Sequence, residues 1–454
     1  MINLQRTSVG KAFWHYTLPS IAALMVSGTY QIVDGIFVGH FIGADGLAAI
    51  SLAWPFVGVL LAFGMMIGMG AGAHTSLKMG AGETSSAINY LIHGLLLLVA
   101  VGLPLGIALH FLSPMFLHFQ GATDGAYLQG ADYLYWMMAG APIVLGSIAL
   151  PLLVRNAGAP RLATLAMGIG AISNIALDAL FIGYFRFGLQ GAAIATLLGE
   201  LISVAICLNY LLSRRSQLPI SKQAFHWQSK AVFDILKTGL SSMLMYLYIS
   251  FSIVLHNMLL LKHGQAIHVA AYSIAGYLLT FYYLMAEGTA GGMQPLTSFY
   301  YGANLKQRVK ATFKIASAFT LGSGIFLVLA IQWSPSFFAQ FFIAQGDEAL
   351  LSTTTWAMRL FLCAMFLDGF LILTATWFQS LGLGNKATFI TMSNMMIQIP
   401  FLLVLPHFFG LNGVWLAVSA VQYLFILTGG FYVVSPMEKT RSSTRFISHP
   451  LANL

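Results

Sequence analysis

Twelve long apolar runs dominate this sequence and restrict it to a helical membrane fold. Each run has at least the ~20 residues that an α-helix needs to cross the hydrocarbon core of a bilayer. Of the 454 residues, 58% are hydrophobic and only 7% are charged, a composition that soluble domains do not have. We therefore predict an all-α integral membrane protein. Its predicted spans are residues 13–38, 47–75, 87–112, 132–154, 162–184, 189–212, 239–261, 268–298, 312–333, 354–379, 388–408 and 411–434.

The basic residues indicate how the spans are oriented. A net charge of +8 and a pI of about 9.4 would also suit a nucleic-acid partner, but the bases cluster in no soluble domain. With a cytoplasmic N-terminus, 18 of the 21 Lys and Arg residues, Arg155 among them, fall inside, and only Arg186, Lys262 and Arg359 fall outside. This positive-inside bias predicts that both termini are cytoplasmic, and it disfavours a nucleic-acid partner. The N-terminal residues lack the pattern of a cleavable signal peptide.

Short motifs recur at a fixed distance along the chain. FGLQG (187–191) returns as FGLNG (409–413), and SLKMGA (76–81) returns as SFYYGA (298–303), with the same offset in numbering for both pairs. Two repeats with an even number of spans have the same orientation and are related by an axis along the membrane normal. We predict two six-helix lobes, 1–218 and 219–454, joined by a basic linker at about 213–237, with a substrate path between them.

Acidic residues inside the spans mark a candidate cation site. An acid at mid-bilayer costs about 2.5–3.5 kcal/mol, so it faces the bundle interior or a cavity. At 1.5 Å per residue, Asp34 and Asp178 lie ~9 and ~12 Å below the outer surface, and Thr196 lies at a similar depth. Asn174 is one helical turn from Asp178, and Tyr30 is one turn from Asp34. These oxygen atoms suit a hard cation or a shared proton, or else an interhelical hydrogen-bond brace.

The second half does not copy this set of residues. His256 stands at the repeat equivalent of Asp34, where it is either a titratable group or a packing group. Glu287 and Asp368 lie near the middle of their spans, and we predict that they line the central cavity, with internal bracing as the alternative. Glu200 lies one turn from the candidate site, where it extends the polar path or bonds a neighbouring helix. Glu287, Asp368, His256 and Glu200 are therefore candidates for a substrate cavity or a second coupling site.

Four motifs in this order resemble the multidrug and toxic compound extrusion (MATE) transporters of bacteria. They are YQIVDGIFVG in span 1, GMGAGAHTSLKMGAG at the end of span 2, SNIALDALF in span 5 and FGLQGAAIAT entering span 6. The resemblance covers nearly the whole chain. It implies a location in the cell inner membrane of a bacterium, a site for Na⁺ or H⁺, and a bending proline in span 1. By match, the cation-site residues and the proline are Asp34, Asn174, Asp178 and Thr196, with Tyr30 adjacent, and Pro19.

The resemblance also implies what such a chain does. Entry of Na⁺ or H⁺ would drive export of small organic, often cationic, compounds by alternating access, in a monomer without an enzymatic reaction or any cofactor beyond the coupling ion. If the ion is Na⁺, Asp34, Asn174, Asp178 and Thr196 would be its ligands. Asp368 resembles the span 10 acid of some family branches. Those branches also carry a span 7 glutamate that this chain does not have.

Three other classes of protein fit this sequence less well than an antiporter. A lipid-linked precursor flippase of the same superfamily would need a basic cavity, whereas the spans carry acids, with Arg359 as the main buried base. An enzyme is disfavoured because the sequence contains no HExxH, GxSxG or Walker motif. Cys207 and Cys363 are predicted to be packing residues, and not a metal site or a disulfide. A simple channel would not need two repeated lobes.

Overall fold

The computed structural model describes residues 3–119, 124–220, 225–343 and 348–434. Within these ranges all regular secondary structure is helical, as the composition predicts. One π-helix, Ala179–Tyr184, continues α6. The fifteen α-helices are α1 (Val9–Phe41), α2 (Ala44–Gly80), α3 (Thr84–Phe119), α4 (Asp124–Ala139), α5 (Ala141–Asn156), α6 (Pro160–Asp178), α7 (Gly188–Leu212), α8 (Ser229–His263), α9 (Ala266–Gly302), α10 (Lys306–Trp333), α11 (Pro335–Ala339), α12 (Glu348–Phe361), α13 (Met365–Ser380), α14 (Gly384–Phe409) and α15 (Leu411–Val434).

Every predicted span coincides with a helix or with a bent pair of helices. In the described residues nine helices are long and apolar enough to cross a membrane alone, and two bent pairs raise that number to eleven. The span at 411–434 coincides with α15. The spans predicted at 132–154 and 354–379 each correspond to a bent pair, since α4 and α5 meet at 60° and α12 and α13 at 45°. The first bend falls at Gly140, next to a helix start with Pro142, which has no N–H to donate.

The predicted linker is shorter than its charges implied. Helix α8 already begins at Ser229, so residues 229–237 are helical. The charges of Lys230 and Lys237 had favoured a loop for this segment. In the structure the Tyr90 hydroxyl donates a 2.9 Å hydrogen bond to Asp234 in the same segment. Residues 221–224 of the linker, and the basic residues of the tail after residue 434, lie outside the described ranges. The boundary between 218 and 219 stays a prediction.

The two halves meet through equivalent helices. Helix α2 packs against α8, and its repeat equivalent α9 packs against α1. Gly80 lies against the Phe299 carbonyl, and its repeat equivalent Gly302 lies against the Leu77 carbonyl. Leu77 and Phe299 are themselves repeat equivalents, since they stand at the same positions of SLKMGA and SFYYGA. Reciprocal contacts of this kind are the signature of a two-fold axis, so the predicted two-lobe fold is confirmed.

A chain of buried hydrogen bonds also crosses this interface. Ser76 Oγ donates to Asn156 Oδ1 at 2.6 Å, and Asn156 Nδ2 donates to Gln294 Oε1 of the other half at 2.8 Å. Gln294 Nε2 then donates to Ser298 Oγ at 3.2 Å, and Ser298 Oγ donates to the Ser380 carbonyl at 2.8 Å. A buried polar network that is satisfied in this way fixes one arrangement of its members. It holds the halves together at the end that carries most Lys and Arg residues.

Candidate functional site

The candidate cation residues lie at the junction of α1, α6 and α7. Helices α6 and α7 approach closely because both have a glycine at the contact. A Cβ on Gly199 would lie 2.8 Å from the Asn174 Cβ and 2.8 Å from the Gly170 carbonyl oxygen. The Asp34 and Asp178 carboxyls are close enough to interact electrostatically. We call the space around Asp34, Asn174 and Asp178 the polar chamber.

The polar chamber contains hydrogen-bonding atoms without partners. Both carboxyl oxygens of Asp178, both amide atoms of Asn174 and Oδ1 of Asp34 are buried, and among the described residues they have no hydrogen-bond partner outside this group, in which the Asn174 amide lies beside the Asp178 carboxyl. Asp178 is 0% exposed. Each buried polar atom left unsatisfied costs about 1–3 kcal/mol, so this many in one place make the group a candidate binding site. Carboxylate and amide oxygens are ligands for a small hard cation, and they can equally hold a proton.

The polar chamber adjoins a larger cavity between the two halves. Asn174, Thr196 and Tyr30 line that cavity, whereas Asp34 and Asp178 are not among its lining residues. Tyr30 lies near both Glu200 and Asp34. The structure thus places the five predicted residues in one region. Their role as an ion site stays a prediction.

Tyr133 of α4 belongs to the same region, and the sequence reasoning missed it. Its side chain is 5% exposed and lies close enough to Asp34, Asp178 and Glu200 for electrostatic interaction. In a straight span beginning at residue 132, Tyr133 would be an ordinary aromatic residue at the membrane interface. The 60° bend between α4 and α5 accompanies its inward position. The only sequence signal was a tyrosine in ADYLYW, which is too common to be diagnostic.

A π-helix follows Asp178 directly. The Phe185 N–H donates to the Leu180 carbonyl and the Phe187 N–H to the Phe181 carbonyl, both at 2.9 Å. A π-turn contains one residue more than an α-turn, and such turns occur frequently at functional sites. Here it changes the helical register between the polar chamber and the outer end of the span. The sequence contains no signal for it.

The interlobe cavity has a volume of about 360 Å³, within the range of small-molecule sites. Both halves supply its walls, through α1, α2, α5, α6 and α7 on one side and α8, α9 and α13 on the other. Methionines and aromatic residues form much of the wall, and such side chains adapt to varied ligand shapes and stack on organic cations. They include Trp54, Met65, Met69, Met167, Met245, Tyr246 and Tyr283.

Two of the predicted acids lie in the wall of this cavity. Glu287 accepts a 2.7 Å hydrogen bond from the Tyr246 hydroxyl. Glu200 of α7 also lines the cavity, and its Oε2 is buried without a partner in the described chain. The cavity therefore presents one carboxyl from each half of the molecule.

The other two candidates lie inside the second half and are not among the cavity-lining residues. Asp368 is buried and accepts a hydrogen bond from Gln422 Nε2. His256 stacks on Tyr272 with ring centroids 5.0 Å apart, and its Nδ1 donates to the Ser252 carbonyl at 2.7 Å. These contacts are those of internal braces, while the other ring nitrogen of His256, Nε2, is buried without a partner among the described residues. A second coupling site at these residues stays a prediction.

Pro19 lies within α1 and contacts α6. The Thr164 hydroxyl of α6 donates a 2.6 Å hydrogen bond to the Pro19 carbonyl. Because proline has no N–H, the helix lacks one backbone hydrogen bond at this turn. A bend of α1 during a functional cycle stays a prediction.

The prediction that Arg359 is the main buried base is wrong, because Arg359 is exposed on α12. The buried base is Arg155, which the charge pattern assigned to the cytoplasmic side. Its side chain is 4% exposed and lines the interlobe cavity. It is the penultimate residue of α5, so in the sequence it stood at the edge of a span, where basic residues are ordinary. The missing Cβ of Gly291 leaves room for its Nη1, which would lie 2.8 Å from such an atom.

Known proteins resemble this chain over most of its length. A sequence model of the MatE family matches residues 19–180 and again 241–404, once in each half. The multidrug export protein MepA of Staphylococcus aureus strain N315 is 26% identical over 413 residues, covering 90% of both chains. MepA of Staphylococcus saprophyticus is 25% identical, with the same coverage.

Solved structures have the same fold. One described as the outward-facing conformation of a multidrug resistance MATE family transporter of the MOP superfamily superposes with a TM-score of 0.89 at 25% identity. It covers 95% of this chain and 96% of that chain. A crystal structure of a MATE protein in complex with MaL6 superposes equally well at 24% identity, with the same coverage. The double family match, the two-lobe fold and the paired half-contacts lead to one conclusion: this chain is a member of the MATE family of membrane transporters, which are not enzymes.

Proposed function

We propose that this protein is a secondary active multidrug exporter that couples entry of Na⁺ or H⁺ to the efflux of small organic cations. The observation that carries this proposal is the group of unpartnered carboxyl and amide atoms in the polar chamber, next to an apolar cavity with two acids. The similarity to multidrug export proteins supports the cargo class.

The residues of the polar chamber and of the interlobe cavity have different roles in this proposal. Asp34 and Asp178 hold the incoming cation or proton, with Asn174 and Thr196 as further oxygen ligands. Glu200 and Glu287 attract the cationic group of the cargo, and the methionines and aromatic rings contact its apolar part. Coupling requires that the chamber binds the ion differently in the outward- and inward-facing states. One charge moving through 100 mV supplies about 2.3 kcal/mol for uphill export.

The reciprocal contacts between the halves support alternating access. They hold the lobes together at one end through glycine contacts and the network from Ser76 to Ser380. Rocking of the two lobes about their shared axis would then expose the cavity to each side of a cell inner membrane in turn. We expect a monomer to carry out this cycle.

The test is ethidium efflux from liposomes containing the purified protein, with an imposed pH or sodium gradient. We expect efflux to follow at least one of the two gradients. Asp34→Asn and Asp178→Asn should each abolish driven efflux while the protein still inserts. Asp132→Asn is the matched control, because Asp132 is an exposed acid next to Tyr133. Efflux that ignores both gradients, or that survives in both chamber variants, would contradict the proposal and favour the flippase alternative.

A further inference from the structure

Arg155 is a buried cation in the cavity wall without a bound counter-charge. Its side chain is 4% exposed, and its Nε meets no hydrogen-bond partner among the described residues. The single salt bridge in the described chain joins Lys78 to Glu83 and does not involve Arg155. A buried charge is strongly disfavoured unless it is paired and hydrogen-bonded. The guanidinium therefore has unused capacity for an anion.

Arg155 lines the interlobe cavity, so a compound bound there can reach its guanidinium. Its Nη1 packs close to Gly291 of α9, near Ser20 Oγ of α1, which is buried without a partner in the described chain. Glu287 is near enough to interact electrostatically with Arg155 but forms no ion pair with it, and its carboxyl is already bonded by Tyr246. A basic group and an acidic group thus share one wall at separate positions.

We propose that Arg155 binds a carboxylate on the exported compound, so that the cavity selects amphoteric molecules that carry a carboxylate and a cationic nitrogen group. A guanidinium matches a carboxylate through two parallel N–H···O hydrogen bonds, which a lysine cannot reproduce. Glu287 and Glu200 receive the cationic end. This inference rests on the proposed function, since it names the cargo of the same cavity.

The test uses two dyes that differ in one group. Rhodamine 110 has a free carboxylate, and rhodamine 123 is its methyl ester and a plain cation. Binding of each dye to the purified protein is measured by fluorescence polarisation. The wild-type protein should bind rhodamine 110 more tightly than rhodamine 123. Arg155→Gln should weaken rhodamine 110 binding by about ten-fold or more, which is the value of a lost hydrogen bond to a charged group, and should strengthen rhodamine 123 binding.

Two further variants make the result specific to the guanidinium. Arg155→Lys keeps the charge but not the paired donors, so it should recover only part of the preference for rhodamine 110. Arg161→Gln removes an exposed arginine at the start of α6 and should leave the affinity ratio of the two dyes at the wild-type value. Equal binding of both dyes by the wild-type protein would overturn the inference without use of any variant, and so would an unchanged ratio in a folded Arg155→Gln protein.

The outcome is separable from that of the proposed function. Gradient-driven efflux of rhodamine 123 by the wild-type protein, together with equal affinity for both dyes, would retain the exporter and reject the role of Arg155. A preference for rhodamine 110 without any driven efflux would retain the role of Arg155 in binding and reject cation coupling.

Discussion

At the residue scale, the feature that matters most is the concentration of unsatisfied polar atoms around Asp34, Asn174 and Asp178. Proteins pair nearly all buried polar groups. A chamber that leaves several of them unpaired retains binding capacity at the expense of stability, as functional sites often do. Tyr133 adds a hydroxyl to the same region.

Tyr133→Phe removes this hydroxyl and keeps the packed ring. We expect the protein to fold normally and the half-saturating concentration of the coupling ion to rise about five-fold, as loss of about 1 kcal/mol of binding requires. Gradient-driven ethidium efflux at varied external pH or sodium concentration measures this. Tyr135→Phe is the control, because Tyr135 lies on the same helix but is 54% exposed. Equal shifts in the two variants would exclude a specific role for Tyr133.

The sequence revealed some chamber residues and hid others for a physical reason. Asp34 and Asp178 were recognisable because an acid within an apolar run has a cost that something must offset. Tyr133 and Arg155 were not recognisable, because an aromatic residue or a base at the edge of a span is the ordinary case. Only the bend between α4 and α5 and the packing of Gly291 show that both side chains point inward.

At the element scale, close helix packing determines where the ligands stand. Helices α6 and α7 approach through Gly170 and Gly199, one turn or less from Asn174 and Thr196. Small residues at such contacts allow backbones to approach in membranes. The apolar runs predicted these helices correctly, since length and hydropathy are local properties. The two bends, the π-helix and the early start of α8 depend on tertiary packing and were not predictable from them.

Gly199→Ala should separate α6 from α7. The added methyl would lie 2.8 Å from the Asn174 Cβ and from the Gly170 carbonyl oxygen, and overpacking of this kind costs about 1–3 kcal/mol. We expect a lower midpoint of thermal unfolding in detergent and weaker ion-driven efflux. Gly168→Ala is the control on α6, because a Cβ there meets nothing within 4 Å. If the Gly199→Ala protein is as stable and active as this control, α6 and α7 accommodate the added methyl group and the prediction is wrong.

At the scale of the whole molecule, the two halves are joined as a pseudo-symmetric pair. The motif repeat predicted this relation, and the contacts of Gly80 and Gly302 follow the same spacing along the chain. The repeat could not predict how the lobes diverged in chemistry. The first half has the polar chamber, whereas the equivalent region of the second contains His256, stacked on Tyr272.

Gly302→Ala should weaken the closed contact between the lobes. A methyl group there meets the Leu77 carbonyl, and a strain of about 1–3 kcal/mol shifts a two-state equilibrium about five-fold or more. We expect faster labelling of Thr297→Cys by an impermeant maleimide from the cytoplasmic side. Thr297 is fully buried and its hydroxyl has no partner in the described chain. Cys207 and Cys363 are replaced by serine for this measurement.

Gly322→Ala serves as the reference for that experiment. A Cβ at Gly322 on α10 meets nothing within 4 Å, so its labelling rate should equal that of the parent protein. Identical rates in the Gly302→Ala and Gly322→Ala proteins would show that this contact does not control access from the cytoplasm.

The equivalent contacts of Gly80 and Gly302 also limit which substitutions the two halves of the chain can accept. Each glycine contacts a backbone carbonyl. That carbonyl remains whatever side chain the contacted residue has. A larger side chain in one copy therefore finds no compensating change in the other. The polar side chains inside each lobe can therefore differ between the halves, while the contact between the lobes has to keep its glycines.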